Sequence, residues 1–188
     1  MTGARDRLTG CALLLLLAAL SLLAGPAQAD GSATSAQAQQ RAKAVTQVVL
    51  GILSYARWPV EPMPLRLCLV GPTEYADDLI KGNAQNSGQP LQVRRLLADD
   101  RQLPAACDAV YIGKLDLGQR DRLFQAISGH PVLSISEADD PCTVGSLFCL
   151  RVGDQQVAFE VNLDSVARSG VRIHPSVLQL SRRRAVQP

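Results

Sequence analysis

The side chains able to do chemistry are few. The chain holds two histidines and five cysteines, and its clearest carboxylate pairs are Asp77-Asp78, Asp99-Asp100 and Asp139-Asp140. Neighbours along an extended chain project to opposite sides, so these pairs do not face each other across a substrate as an acid and a base must. Near turns they read as solvated caps. His130 and His174 each precede a proline, and no cysteine pair has zinc-knuckle spacing, so no metal site is read. There is no Cys-x-x-Cys for disulfide exchange, no Gly-x-Ser-x-Gly elbow, no phosphate loop and no Gly-x-Gly-x-x-Gly. Nothing marks one serine above another as a nucleophile. The residues therefore assign no catalytic group and no cofactor.

What remains is cationic. Residues 170–175, Gly-Val-Arg-Ile-His-Pro, are expected to be extended before Pro175. Arg172 and His174 then share one face, and Val171 and Ile173 the other. Such a pair either grips a carboxylate or phosphate or simply faces solvent. Arg57, between Tyr55 and Trp58, suits the carbonyl end of a helix. Arg57, Arg172 and His174 are the candidate ligand residues.

The elements that must position these groups begin after a targeting segment. Arg5 and Arg7 precede an apolar run at 12–23, and Ala27-Gln28-Ala29 forms a small-residue cleavage site. A Leu-Thr-Gly-Cys at 8–11 stands before the apolar run rather than after it, so it is not read as a lipidation box. Cleavage after Ala29 removes 29 of 188 residues and leaves 159, with 17 basic and 16 acidic side chains. That balance, with aromatics at 4 %, excludes a phosphate-tracking or base-stacking nucleic-acid surface. No later run is long enough to span a bilayer.

Export makes the cysteines structural. Cys68, Cys107, Cys142 and Cys149 remain, and four cysteines allow three pairings. Spacing favours Cys68–Cys107 and Cys142–Cys149. On the chain-entropy model the longer loop contributes about 4 kcal/mol and the shorter about 2.5 kcal/mol.

After a polar leader at 30–40, residues 38–58 carry two apolar stripes. Ala38, Ala42, Val45, Val49, Ile52 and Ala56 form one; Ala44, Val48, Gly51 and Tyr55 form the other. Two readings follow: a deeply buried helix, or one stripe meeting another subunit. Pro59 is expected to end the helix. Strands are expected at 65–70, 91–97, 108–112 and 131–136, and short helices at 73–81 and 116–128, the latter capped by Asp116. Residues 82–89 read as a turn. Strands at 147–152 and 155–161 flank Gly153-Asp154, a two-residue hairpin turn. Pairing Val152 with Gln155 sets Phe148 opposite Phe159 and gathers Phe148, Leu150, Val157 and Phe159 on one face. Cys149, Arg151 and Glu160 fall on the other. Short helices at 162–168 and 175–182 follow. The whole is a mixed, largely parallel α/β sheet flanked by helices, with a C-terminal hairpin and two disulfide staples, in one domain over 41–188.

Several segments then show a resemblance. Tyr-Ala-Arg-Trp-Pro at 55–59, Leu-Cys-Leu-Val-Gly at 67–71, Val-Leu-Ser-Ile-Ser at 132–136 and Gly145 recur in order. Phe-Glu-Val-Asn-Leu at 159–163, Ala-Arg-Ser-Gly at 167–170, Leu178 and Leu180 complete the pattern. Over about 40–181 the chain resembles the YfiR family, periplasmic repressors of the membrane-bound diguanylate cyclase YfiN. The resemblance implies a homodimer in the periplasm that binds the sensor domain of a YfiN-like cyclase. It implies inhibition of cyclic-di-GMP synthesis, relieved by a YfiB-like outer-membrane partner, with biofilm formation as the process controlled. Phe148, Phe159 and Glu160 are the candidate partner surface, with ordinary core as the other reading of the two rings. A periplasmic small-molecule carrier using Arg57, Arg172 and His174 is the alternative function, and an exported hydrolase the third.

Overall fold

The computed structural model describes residues 29–81, 90–137, 142, 145–154 and 156–182. The targeting segment through residue 28, the expected turn at 82–89 and the pair Asp139-Asp140 lie outside the described residues. The chain divides into two compact units, 1–36 and 37–188; the second carries the sheet.

Helix α1 runs Ala29–Ser54. It takes in residues 30–40, for which composition suggests a leader; this stretch is rich in alanine and glutamine, which propagate helix well. It also stops four residues short of the expected end. Tyr55 N–H bonds back to Ile52 O at 3.1 Å, and the chain turns into strand β1, Ala56–Arg57. Ala56 and Trp58 are buried and Arg57 exposed, the alternation of a strand rather than a helix.

Strands β2 (Leu65–Val70), β3 (Leu91–Leu96), β4 (Ala109–Ile112), β5 (Leu133–Ser136), β6 (Phe148–Val152) and β7 (Val157–Val161) form one sheet in the order β3-β2-β4-β5-β6-β7. Every neighbouring pair is parallel except β6 and β7. Parallel strands must be joined by crossovers that cover both faces, which is why β2 and β4 are apolar on nearly every residue. One face packs on α1: Val45, Val49 and Ile52 are fully buried among Leu67, Leu69, Tyr111, Leu133, Ile135 and Phe148. The opposite face, with Cys68, Val70, Val110 and Ile112, packs on α3 (Leu103–Ala106) and α4 (Leu117–Ile127). As the sequence indicates, Asp116 caps α4, accepting from Gln119 N–H at 2.7 Å in a reciprocal capping box. Helices α2 (Asp77–Ile80) and α5 (Leu163–Arg168), strand β8 (Arg172–Ile173), a 3₁₀ turn (Pro175–Leu178) and α6 (Gln179–Arg182) complete the chain.

Most of both stripes of α1 is covered within the chain: Ala42, Val45, Val48, Val49, Ile52 and Ala56 are buried, while Ala38 is exposed. Leu180 lies where a side chain on Gly51 would stand, its Cδ1 2.8 Å from that Cβ position. Val45 and Ile52 belong to the core, so neither offers a surface to a second subunit.

The hairpin register differs from expectation by two residues. Val152 faces Val157, Leu150 faces Phe159 and Phe148 faces Val161 across a longer loop, closed by Gly153 N–H on Gln156 O at 2.9 Å. A slip of two preserves the side each residue takes, so the predicted faces survive. The Phe148 and Phe159 rings meet diagonally, edge to face, with centroids 5.6 Å apart.

Candidate functional site

Strands β1 and β8 pair antiparallel as a two-stranded ribbon outside the main sheet. Ala56 faces Ile173 and Arg57 faces Arg172; His174 N–H bonds to Tyr55 O at 3.0 Å and extends the ladder. Two cross-strand arginines, from positions 115 residues apart in sequence, thus stand directly opposite one another. Arg57 Nη1 donates to Ser54 O at 2.8 Å and Ala56 O at 2.7 Å, neutralising carbonyls at the end of α1. Arg172 is exposed, and its side chain has no hydrogen-bond or ion-pair partner among the described residues. The His174 ring stacks on Tyr55 at 6.2 Å, and its Nδ1 accepts from Ser176 N–H at 3.2 Å. An accepting Nδ1 leaves the ring proton on Nε2, which acts as a donor. The structure therefore brings Arg57, Arg172 and His174 together, and adds Tyr55, whose place follows only from the pairing. Like charges facing across a ladder repel, and an anion between them relieves that repulsion.

The hairpin tells a different story. Phe148 is 0 % and Phe159 8 % exposed, so both rings are core and neither presents a partner surface. The apolar alternation that groups them is what buries them. Glu160 stands exposed on the other face and accepts from Arg151 Nη2 at 3.0 Å and Nε at 3.2 Å. Beside it Cys142 Sγ lies 3.8 Å from Glu160 O, in a disulfide with Cys149. The other predicted bond, Cys68–Cys107, is also formed.

A third polar cluster, at the carboxyl ends of the parallel strands, has no sequence signal. Glu137, just past β5, accepts from Glu74 N–H at 2.6 Å, Tyr75 N–H at 3.3 Å and Tyr111 Oη at 2.6 Å. It clasps the loop after β2 onto the sheet. Burial, then the charge and hydrogen bond of Glu137, hold the Tyr111 phenol well above its ordinary pKa. Burial and a hydrogen bond to Glu74 push Tyr75 up to about 12. Among the described residues no group of three or more His, Cys, Asp or Glu is placed to hold a metal ion, and no helix is long and apolar enough to cross a membrane.

Fold and surface together define a doubly wound, disulfide-stapled α/β domain with Arg57, Arg172, His174 and Glu160 on exposed faces. Residues 42–182 match the YfiR/HmsC-like family, and the chain belongs to it. Membership points to a periplasmic regulator of cyclic-di-GMP signalling, in a family that is regulatory rather than catalytic.

Proposed function

We propose that this protein is a periplasmic negative regulator that binds the sensor domain of a YfiN-like inner-membrane diguanylate cyclase and holds it in its inactive state, with a YfiB-like outer-membrane protein relieving the repression. Family membership over 42–182 carries this reading. A repressor needs no catalytic residue; it needs higher affinity for one state of its target, and about 5.5 kcal/mol of difference turns a 1:99 equilibrium to 99:1. Glu160, with Arg151 and the neighbouring Cys142–Cys149 bond, is the partner surface we favour, because it pairs exposed charge with a rigid staple. A homodimer is part of the reading, formed through a surface other than the Val45–Ile52 stripe. Deleting the gene should raise cyclic-di-GMP and surface growth only in cells that carry the cognate cyclase. Unchanged cyclic-di-GMP in the deletion strain, with the cyclase expressed, overturns the proposal.

A second reading is favoured by one observation, the facing pair Arg57 and Arg172. Anion capture by Arg57, Arg172 and His174 would make the protein a small-molecule carrier or sensor. Loss of anion binding in Arg172→Gln, with repression intact, would separate the two roles.

A further inference from the structure

The strand order β3-β2-β4 means that the chain reverses its direction of travel across the sheet between β2 and β4. In doubly wound sheets, small ligands sit in the crevice at the carboxyl ends of the strands flanking such a reversal. Here that crevice is closed. Gly71 stands at φ +79°, a conformation open to glycine, and a Cβ on it would lie 2.7 Å from Leu115. A Cβ on Gly113 would lie 2.0 Å from the Pro72 carbonyl oxygen. The two glycines let the loops after β2 and β4 touch. Space is left instead over the carboxyl ends of β2 and β3, as an open cavity of about 350 Å³. That volume falls at the small end of the range for small-molecule sites.

Its walls are apolar: Leu96, Leu97 and Leu115. Two polar side chains line it, Arg95 and Gln119, and both offer donors. Arg95 Nη1 donates to Gly71 O at 3.2 Å and Nη2 to Thr73 Oγ1 at 2.8 Å, which fixes the guanidinium at the rim and leaves further N–H groups of its five. Gln119 Oε1 accepts from Asp116 N–H at 3.1 Å in the capping box, so its amide is oriented with Nε2 as the remaining group. Among the described residues no acidic side chain lines the cavity. A ligand matching these walls is apolar over most of its surface and carries an acceptor, best a negative one, at one end.

We propose that this cavity is a binding site for a compact apolar carboxylic acid, aromatic or branched aliphatic. Its hydrocarbon part lies on Leu96, Leu97 and Leu115, and its carboxylate accepts from Arg95 and Gln119. The site involves none of the residues of the ribbon or the hairpin and does not rest on the regulatory reading.

The test is titration of the ¹⁵N-labelled mature protein with phenylacetate, isovalerate and indole-3-acetate, and with phenethylamine as the cationic counterpart. At least one acid should shift the Gly71, Leu97, Ala98 and Gln119 amides saturably. At about 100 times Kd it should raise Tm by roughly 5–10 °C. Phenethylamine should shift none of them. Arg95→Gln should weaken binding by roughly tenfold or more, the value of a charge-assisted hydrogen bond. Leu97→Glu places a carboxylate at the rim on a residue 74 % exposed, and should weaken acid binding without lowering the Tm of the free protein. Because Arg95 also braces the loop after β2, Leu97→Glu decides if Arg95→Gln fails to fold. No saturable shift with any acid, equal binding of the amine, undiminished binding in Leu97→Glu, or shifts confined to Arg57, Arg172 and His174 would each overturn the proposal.

Discussion

The two disulfides staple regions of opposite character. Cys68 and Cys107 are 0 % and 2 % exposed, inside the layer between the sheet and α4. Their neighbourhood is also held by polar bonds. Arg66 Nη2 meets Asp108 Oδ1 at 2.6 Å, Arg66 Nε and N–H both donate to Asp108 Oδ2, and Arg66 Nη1 reaches Ala105 O at 2.7 Å. Arg94 donates to Ala106 O, and Trp58 Nε1 to Asp108 O at 2.9 Å. The Asp108 hydrogen bond holds the Arg66 pKa above its ordinary value despite the cost of desolvation. Among the described residues the Cys142–Cys149 bond has no such polar brace. Cys149 is buried in β6, but Cys142 is half-exposed, its Sγ 3.8 Å from the Glu160 carbonyl oxygen of β7. One staple lies within a region also held by hydrogen bonds and an ion pair; the other ties Cys142 to β6.

The largest expected effect is on the first region. Cys68→Ser removes the closure of a 39-residue separation and leaves a hydroxyl in an apolar layer, at a cost of about 4 kcal/mol or more. Chemical denaturation of the purified variant should show this, and abundance in the periplasm should collapse. Cys142→Ser removes the closure of only a 7-residue separation and should cost about 2.5 kcal/mol or less. If the second variant is the less stable, the comparison is wrong. Graded reduction with alkylation and mass spectrometry sharpens the same contrast: Cys142 and Cys149 should be labelled before Cys68 and Cys107. Asp108→Ala breaks the Arg66 bonds and orphans a backbone N–H. We expect about 2 kcal/mol, moderated because the guanidinium is partly open to water. Glu160→Ala should cost under about 1 kcal/mol, as exposed pairs do, while weakening repression. Smallest near neutral pH is the effect of the tyrosines. A phenol raised in the folded state stabilises fully below its unfolded value and loses that contribution as pH rises through the folded one. Stability should therefore fall between pH 10 and about 12, the interval for Tyr75, and Tyr75→Phe should flatten that limb of the pH–stability curve.

Much of this contrast can be read from the residues. The pairing of cysteines follows from spacing, and the burial of Cys68 from the run of leucines around it. The hairpin faces follow from alternation, but the register does not, because alternation fixes parity and not which residues meet. The ribbon is invisible in sequence: strands of two residues have no period to detect, and their pairing joins segments from opposite ends of the domain. Hence Arg172 and His174 can be placed on one face from sequence, while the approach of Arg57 needs the fold. The Glu137 clasp and the cavity beside Arg95 are hidden for the same reason, since both depend on strand order.

The ribbon has a consequence for how the domain is made. A chain emerges N-terminus first, from a ribosome or a translocon, and α1 is among the earliest parts to appear. Beyond its packing on the sheet, its carboxyl end gains the ribbon's backbone pairing only when Arg172 and Ile173 arrive to meet Ala56 and Arg57. Leu180, which fills the space over Gly51, comes later still. Until those last residues are out, the earliest helix lacks both latches, and a chain cut short before residue 172 can form neither of them.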